Sequence, residues 1–133
     1  MAFSKNFVWG AASSAYQTEG ARNEDGTGRC IWDDFTHIKG NIANNENGDI
    51  ASDAYHRYHE DIGYIRQMGL GAYRFSISWP RILPNGRGAL NKKGLAYYDK
   101  IVDTLLNNGI TPYATLYHWD LPSELQKEGG WLK

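Results

Sequence analysis

The sequence is poor in several features that would each point to a particular class of protein. It holds one cysteine, Cys30, so no disulfide can form within the chain, and a lone thiol is typical of a reducing compartment. No apolar run approaches the roughly 18 residues that a bilayer-spanning helix needs. Basic residues are scattered and the formal net charge is −1, which offers no basic surface to nucleic acid or to an anionic membrane. We therefore predict a cytoplasmic protein with neither kind of partner.

Aromatic residues, by contrast, are plentiful, with 5 tryptophans and 9 tyrosines in the chain. A surplus of this kind fits core packing. It also fits carbohydrate binding, because a flat ring covers the apolar face of a pyranose. Composition alone favours packing, and Trp9, Trp32 and Trp79 are predicted to be core residues.

Apolar periodicity alternates along the chain between the two-residue spacing of strands and the 3.6-residue spacing of helices. A turn-rich segment over 20–50 shows little of either period, and loops of that length are usually functional or disordered. Within it, residues 31–35 are apolar enough to be predicted to dock locally. Asn91 is a predicted N-cap, and Gly69 and Gly109 are predicted to end helices. The predicted elements are a strand over 7–12, a helix over 52–68, a strand over 72–77, a helix over 91–109, a strand over 113–117 and a helical turn over 122–130. The Trp79-Pro80 pair is predicted to mark a loop after the second strand.

This β-α-β-α-β order predicts an α/β fold with a parallel sheet, whose functional groups gather at the carboxyl ends of its strands. Polar and aromatic residues concentrate at three such ends, 13–19, 76–81 and 118–120. The 133 residues fall well short of the roughly 250 of a complete (β/α)8 barrel. No internal repeat is present.

Four segments together resemble glycoside hydrolase family 1, in order and with barrel-like spacing. They read Phe-x-Trp-Gly-x-Ala-x-Ser-Ala-Tyr-Gln-x-Glu-Gly at 7–20, Gly-Asp-x-Ala-x-Asp-x-Tyr-His-Arg-Tyr-x-Glu-Asp-Ile at 48–62, Tyr-Arg-Phe-Ser-Ile-Ser-Trp-Pro-Arg-Ile at 73–82 and Thr-Leu-Tyr-His-Trp-Asp-Leu-Pro at 115–122. The resemblance implies that residues 1–133 are an incomplete single domain, the first third of a TIM barrel from a β-glucosidase-like enzyme.

The resemblance also implies a donor-sugar subsite. Gln17, His118 and Trp119 would hydrogen-bond the sugar hydroxyls, and Arg74 would lie beneath the catalytic nucleophile and hold that carboxylate ionised. The family reaction is retaining hydrolysis of β-glucosides or β-galactosides by two glutamates about 5–5.5 Å apart. The Asn-Glu-Pro and Glu-Asn-Gly blocks that carry these glutamates do not occur in this sequence. We therefore expect the 133 residues to be inactive by themselves, and no cofactor or metal is implied.

Three alternatives remain open on the residues alone. Glu19 and Asp120 follow two strands and could be paired as catalytic carboxylates, although a structural anchor and a turn residue explain them better. His56 and His59 share a helix face, but no further ligands with suitable spacing follow them. A different class of function is a non-catalytic sugar-binding or self-associating module, because three strands of a barrel leave open edges. Its partners would be the rest of a barrel or further copies of the chain.

Overall fold

The computed structural model describes residues 2–133 and contains three strands that alternate with two long helices and several short ones. The elements in chain order are β1 (Gly10–Ala12), α1 (Ala15–Thr18), α2 (Ile31–Thr36), α3 (Ala54–Gln67), β2 (Ala72–Ser76), α4 (Trp79–Ile82), α5 (Lys92–Asn107), β3 (Thr111–Thr115) and α6 (Ser123–Lys127). Single 3₁₀ turns occur at Ala43–Asn45 and Gly130–Leu132. No helix within residues 2–133 is both long enough and apolar enough to cross a bilayer.

The strands form one parallel sheet in the order β1-β2-β3, as the alternation of elements predicts. In the register of the sheet, Gly10 lies opposite Ala72, and Ser76 lies opposite Thr115. Because the strands run in the same direction, all three carboxyl ends meet at one edge. The segments after these ends, which hold the predicted site residues Gln17, His118 and Trp119, therefore start from a common place.

Both long helices end at glycines that the sequence marks, and α5 also begins at a marked residue. The Asn91 side chain accepts a hydrogen bond from the Lys93 amide at 3.2 Å, which caps α5 at its first turn. Gly69 and Gly109 follow α3 and α5 with φ of +71° each, the left-handed conformation that ends helices at low cost in glycine. All three predictions are confirmed.

One face of the sheet packs against α3 and α5 to form the core. Each fully buried aliphatic or aromatic side chain here contributes about 1.5–3 kcal/mol to folding through the area removed from water. The buried residues of this cluster are Ile62, Ile65, Phe75, Tyr97, Tyr98, Ile101, Leu105 and Ile110.

The predicted buried strand over 7–12 is wrong in its first half. Only Gly10–Ala12 is strand, and Phe7, Val8 and Trp9 are 45%, 59% and 53% exposed. The rings of Phe3, Phe7 and Trp9 pack on one another instead, with centroids 4.3–4.8 Å apart. Within the described residues no helix or strand covers this side of the sheet, so Trp9 is not a core residue.

Two further boundaries differ from the prediction. The third strand runs over Thr111–Thr115, not 113–117, and so includes Pro112. The Thr111 amide donates to the Gly71 carbonyl at 2.9 Å, so the alternation of the backbone turns Pro112 to the open side, where its missing N–H costs nothing. The Trp79-Pro80 pair, predicted as loop, begins α4, with Pro80 in the first turn where proline is tolerated.

The turn-rich segment over 20–50 folds against the sheet through short elements of its own. It contains α2, and an antiparallel bridge joins Cys30 to Pro122. Ile31 donates to the Leu121 carbonyl at 2.9 Å as part of this bridge. The predicted docking of the apolar residues near 31–35 is therefore confirmed, and it brings α2 beside the segment that follows β3.

Candidate active site

A cavity of about 670 Å³ lies beyond the carboxyl ends of the strands. Its size falls in the range of small-ligand pockets. It brings Gln17 together with His118 and Trp119, which lie much later in the sequence. The full lining is Ser14, Tyr16, Gln17, Trp32, Thr36, Ile42, Glu46, Asn47, Gly48, Ala51, His118 and Trp119.

Gln17 reaches the cavity because the chain turns into α1 directly after β1. The Ala15 amide donates to the Ser76 hydroxyl at 2.7 Å, which fixes the start of α1 to the end of β2. The Gln17 Oε1 atom accepts from the Ser14 hydroxyl at 2.6 Å. Among the described residues the Gln17 NH₂ group has no acceptor, so it is available to donate to a ligand.

The half-buried His118 side chain faces Arg74 of the central strand. The Arg74 Nη1 atom lies 3.4 Å from His118 Nδ1. A guanidinium only donates hydrogen bonds, so Nδ1 must accept, and the proton of a neutral imidazole then sits on Nε2. In this tautomer the His118 Nε2–H is available to donate to a ligand in the cavity, as the Gln17 NH₂ group is. Arg74 lies behind the His118 ring.

Trp119 occupies a strained backbone position, with φ of +75°, which is rare for a bulky residue. Trp119 is 66% exposed and lines the cavity. Asp120 beside it is 1% exposed, and its Oδ1 atom accepts from the His118 amide at 3.4 Å. Burial raises the pKa of the Asp120 carboxyl. Asp120 thus anchors the turn that presents His118 and Trp119.

Residues 1–133 match the model of glycosyl hydrolase family 1. The chain belongs to that family. Beta-glucosidase A of Acetivibrio thermocellus is 59% identical over 129 residues, which cover 97% of this chain and 29% of that protein. An aryl-phospho-beta-D-glucosidase of Bacillus subtilis is 56% identical over 96% of this chain and 27% of its own length.

The fold agrees equally well with solved structures of family 1. The β-glucosidase of Thermotoga maritima matches with a TM-score of 0.95 at 55% identity, over 97% of this chain and 29% of that one. Other structures of that enzyme hold azafagomine, castanospermine or noeuromycin. The family 1 chain therefore has the fold of the N-terminal part of a (β/α)8 barrel and spans less than a third of the length of these relatives.

The family 1 cavity also has a wall that periodicity does not reveal. Trp32, predicted as core, is half-buried and lines the cavity from α2, so that prediction is wrong. Glu46, Asn47 and Gly48 line it from the turn-rich segment. The length of that segment was the available signal, since long loops in compact domains are often functional. Trp79 is half-buried on another face, where its ring lies 6.2 Å from that of Trp131.

Glu19 and Asp120, the alternative pair of catalytic carboxylates, are not part of the cavity lining. Glu19 is 3% exposed and accepts from the Tyr98 hydroxyl at 2.5 Å and from Arg81 Nε at 2.8 Å. Burial raises the pKa of the Glu19 carboxyl, and the Arg81 charge opposes that rise. Glu19 is therefore a buried structural anchor, and Asp120 is buried as well. Neither is placed to act on a ligand in the cavity.

The metal-binding alternative for His56 and His59 has no support among the described residues. Within residues 2–133, no three histidine, cysteine, aspartate or glutamate side chains are arranged to hold an ion. The His56 ring lies between Asp53, at 2.6 Å, and Glu24, at 3.1 Å. His56 thus ties the start of α3 to the preceding loop.

Proposed function

We propose that this family 1 chain supplies part of the donor-sugar site of a retaining β-glycosidase that acts on β-linked glucosides or galactosides. The observation that carries the proposal is the cavity on which Gln17, His118 and Trp119 come together. The two catalytic glutamates of such an enzyme belong to polypeptide other than these 133 residues. The activity of the whole enzyme is accordingly part of the proposal.

The polar groups of the cavity suit a sugar ring. Gln17 offers its NH₂ group, His118 its Nε2–H and Trp119 its indole N–H, all of which donate to hydroxyl oxygens. The exposed faces of Trp32 and Trp119 give the apolar surface that the C–H face of a pyranose requires. Arg74 supports the site by holding the tautomer of His118. In the complete site its charge would also favour an ionised nucleophile.

The comparisons support a glycoside as the substrate. The relatives are β-glucosidases, and the compounds bound to the Thermotoga maritima enzyme are sugar-like inhibitors. The 59% match to a β-glucosidase and the 56% match to an aryl-phospho-β-D-glucosidase are nearly equal. Near-equal matches to both are in keeping with a role for this part of the chain in recognising the sugar ring that the two substrate classes share.

A second candidate function, self-association through barrel-like edges, rests on exposed apolar surface. Leu116, Trp131 and Leu132 are 77%, 67% and 97% exposed. Among the described residues, β1 and β3 each pair on one side only. Large apolar patches and open strand edges favour pairing with another chain. Light scattering across a range of concentrations tests this function, and a monomer at every concentration would reject it.

The sugar-binding proposal is tested by NMR titration of the chain with methyl β-D-glucoside. Gln17→Ala and His118→Ala should each weaken binding by about two- to tenfold, the range expected for one neutral hydrogen bond. Gln67→Ala, at an exposed position at the end of α3, is the matched control and should bind as the parent does. Equal binding by all four proteins, or none by the parent, would refute the site.

Catalysis is tested separately with nitrophenyl β-glucoside. The purified chain should release no nitrophenol, because neither catalytic glutamate is present. Turnover that persists after contaminating enzymes are removed would show that catalytic carboxylates are present within these 133 residues. The cytoplasmic location stays a prediction based on the single thiol of Cys30, which is free and buried.

A further inference from the structure

One wall of the cavity is a closed surface loop, residues 38–48, which we call the wall loop. It lies between His37, just after α2, and Asp49, and it supplies Ile42, Glu46, Asn47 and Gly48 to the lining. Its two ends lie close together, as in the compact loops that often carry function. The position of this loop decides the shape of the proposed sugar site, so the inference below rests on the proposed function.

Few bonds hold the wall loop to the rest of the protein. Half of its hydrogen bonds are internal, such as those from the Asn45 amide to the Ile42 carbonyl and from the Glu46 amide to the Ala43 carbonyl. Within residues 2–133, those that leave it end on the Phe35 carbonyl, the Tyr16 hydroxyl and the adjacent Asp49 amide. A loop with so few outward bonds depends on whatever joins its ends.

His37 joins those ends with both nitrogens of its ring. Nε2 lies 3.1 Å from Asp49 Oδ2, and Nδ1 lies 2.7 Å from the Asp33 carbonyl oxygen of α2. Both partners are acceptors only. A neutral imidazole has one N–H and one lone pair, so it would leave a lone pair facing an oxygen at one of these contacts. Only the imidazolium satisfies both.

We infer that His37 is a proton-dependent clasp, a positioning residue whose imidazolium ties Asp49 to α2 and so holds the wall loop against the sugar cavity. Loss of the proton removes one of the two bonds and frees the loop ends. The cavity then loses a fixed wall while its other residues remain in place. Sugar affinity should accordingly be higher when His37 is charged.

The net effect of the groups around His37 is to favour its protonated form. The Asp33 carbonyl and then the Asp49 carboxylate raise the pKa of His37 above its ordinary value. Partial burial and then the charge of Arg29, which is paired with Asp34 at 2.9 Å, oppose this rise in pKa. With a raised folded-state pKa, the clasp is fully present below the ordinary imidazole pKa and is lost as the pH rises through the folded-state value. His37 and Asp49 are both partly exposed, so the effect is modest.

The experiment measures amide hydrogen exchange of the wall loop between about pH 5 and about pH 9, a range that brackets histidine titration. Rates are corrected for the intrinsic pH dependence of exchange and read at Asn41, Asn45 and Glu46, whose amides are bonded inside the loop. Their protection should fall by about two- to fivefold as the pH rises, as expected for an exposed charge pair. ¹⁵N shifts of the His37 ring follow its proton in the same samples.

Three variants make the test specific. His37→Gln is neutral throughout, so the loop should be as open at low pH as the parent is at high pH. Asp49→Asn should act in the same direction and lower the pKa of His37. His59→Gln changes an exposed histidine with no hydrogen-bond partner among the described residues, and should keep the full pH dependence. Protection that is independent of pH in the parent, or still dependent on pH in His37→Gln, overturns the clasp.

Titration with methyl β-D-glucoside separates the clasp from the sugar site. His118 carries an imidazole of its own, so the sugar result is the difference between the parent and His37→Gln. That difference should be about two- to fivefold at low pH and vanish at high pH. A loop that opens without changing sugar affinity overturns the positioning role. A chain that binds no sugar refutes the proposed function, and hydrogen exchange still decides the clasp.

Discussion

Replacing Glu19 by glutamine should be among the most damaging single changes in this protein. Glu19 joins α1 to two later elements, because it accepts from Arg81 of α4 and from Tyr98 of α5. Arg81 is 0% exposed, and its other donors go to the Thr27 hydroxyl at 2.9 Å and the Gly20 carbonyl at 3.0 Å. Glutamine keeps the shape of the side chain but removes its charge and replaces one of its two acceptor oxygens by an NH₂ donor.

The expected cost follows from the charge that is left behind. Removing one member of a buried ion pair costs about 3–5 kcal/mol, since the remaining charge stays out of water without a counter-ion. The two other acceptors of Arg81 favour the low end, about 3 kcal/mol. A domain of this size has about 5–15 kcal/mol of stability in total. Glu19→Gln should therefore remove a substantial part of it.

Urea denaturation followed by tryptophan fluorescence and circular dichroism measures this loss. Glu60→Gln is the matched control, because it removes a carboxylate whose ion pair with Arg57 is exposed on α3, and it should leave the urea midpoint unchanged. Tyr98→Phe should cost about 1–3 kcal/mol, because it leaves the buried Ser78 amide without an acceptor. If Glu19→Gln unfolds within about 0.5 kcal/mol of the parent, the ion pair does not stabilise the fold as argued.

Two further predictions concern residues that the fold encloses. Burial raises the pKa of the Cys30 thiol to about 12, so at about pH 8 a thiol reagent should label the native protein at least a thousandfold more slowly than a free cysteine; rapid labelling would contradict the burial of Cys30. Gly20→Ala should cost at least about 2 kcal/mol in urea unfolding, because φ is +64° and a Cβ would lie 2.1 Å from the Ile50 carbonyl oxygen. Gly63→Ala, whose Cβ would meet nothing within 4 Å, should instead stabilise α3 by about 0.4–1 kcal/mol, and similar effects at both glycines would refute the steric argument.

Local sequence patterns predicted the parts of the fold that depend on neighbouring residues. The caps of α3 and α5 follow from single residues such as Asn91, and the parallel sheet follows from the alternation of elements. The predictions of buried residues failed where burial depends on segments that are distant in the sequence. Trp9 has an apolar side chain at the head of a strand, but no described element lies across from it. Pro112 was placed outside β3 because the open side of an edge strand cannot be seen in a sequence.

The sequence predicted the polar and aromatic residues at the strand ends of the candidate site, but not the residues from 20–50 that form its walls. Gln17, His118 and Trp119 were selected by motif resemblance, and the structure gathers them on one cavity, while their role in binding stays a prediction. Nothing in the periodicity of 20–50 marks Trp32 or Asn47 as cavity residues. They reach the cavity through the docking of α2 and the closure of the wall loop, and both depend on contacts between residues distant in sequence.

The bridge between Cys30 and Pro122 has a consequence for the order of events during synthesis. The Ser123 amide completes it by donating to the Arg29 carbonyl at 2.9 Å. Until Ser123 has left the ribosome, α2 has no counterpart to close against, and Trp32 lies on an unfinished surface. Closing so large a separation in sequence is slow, because the chain must lose much of its freedom before the contact forms. The cavity should thus be one of the last features of this chain to form.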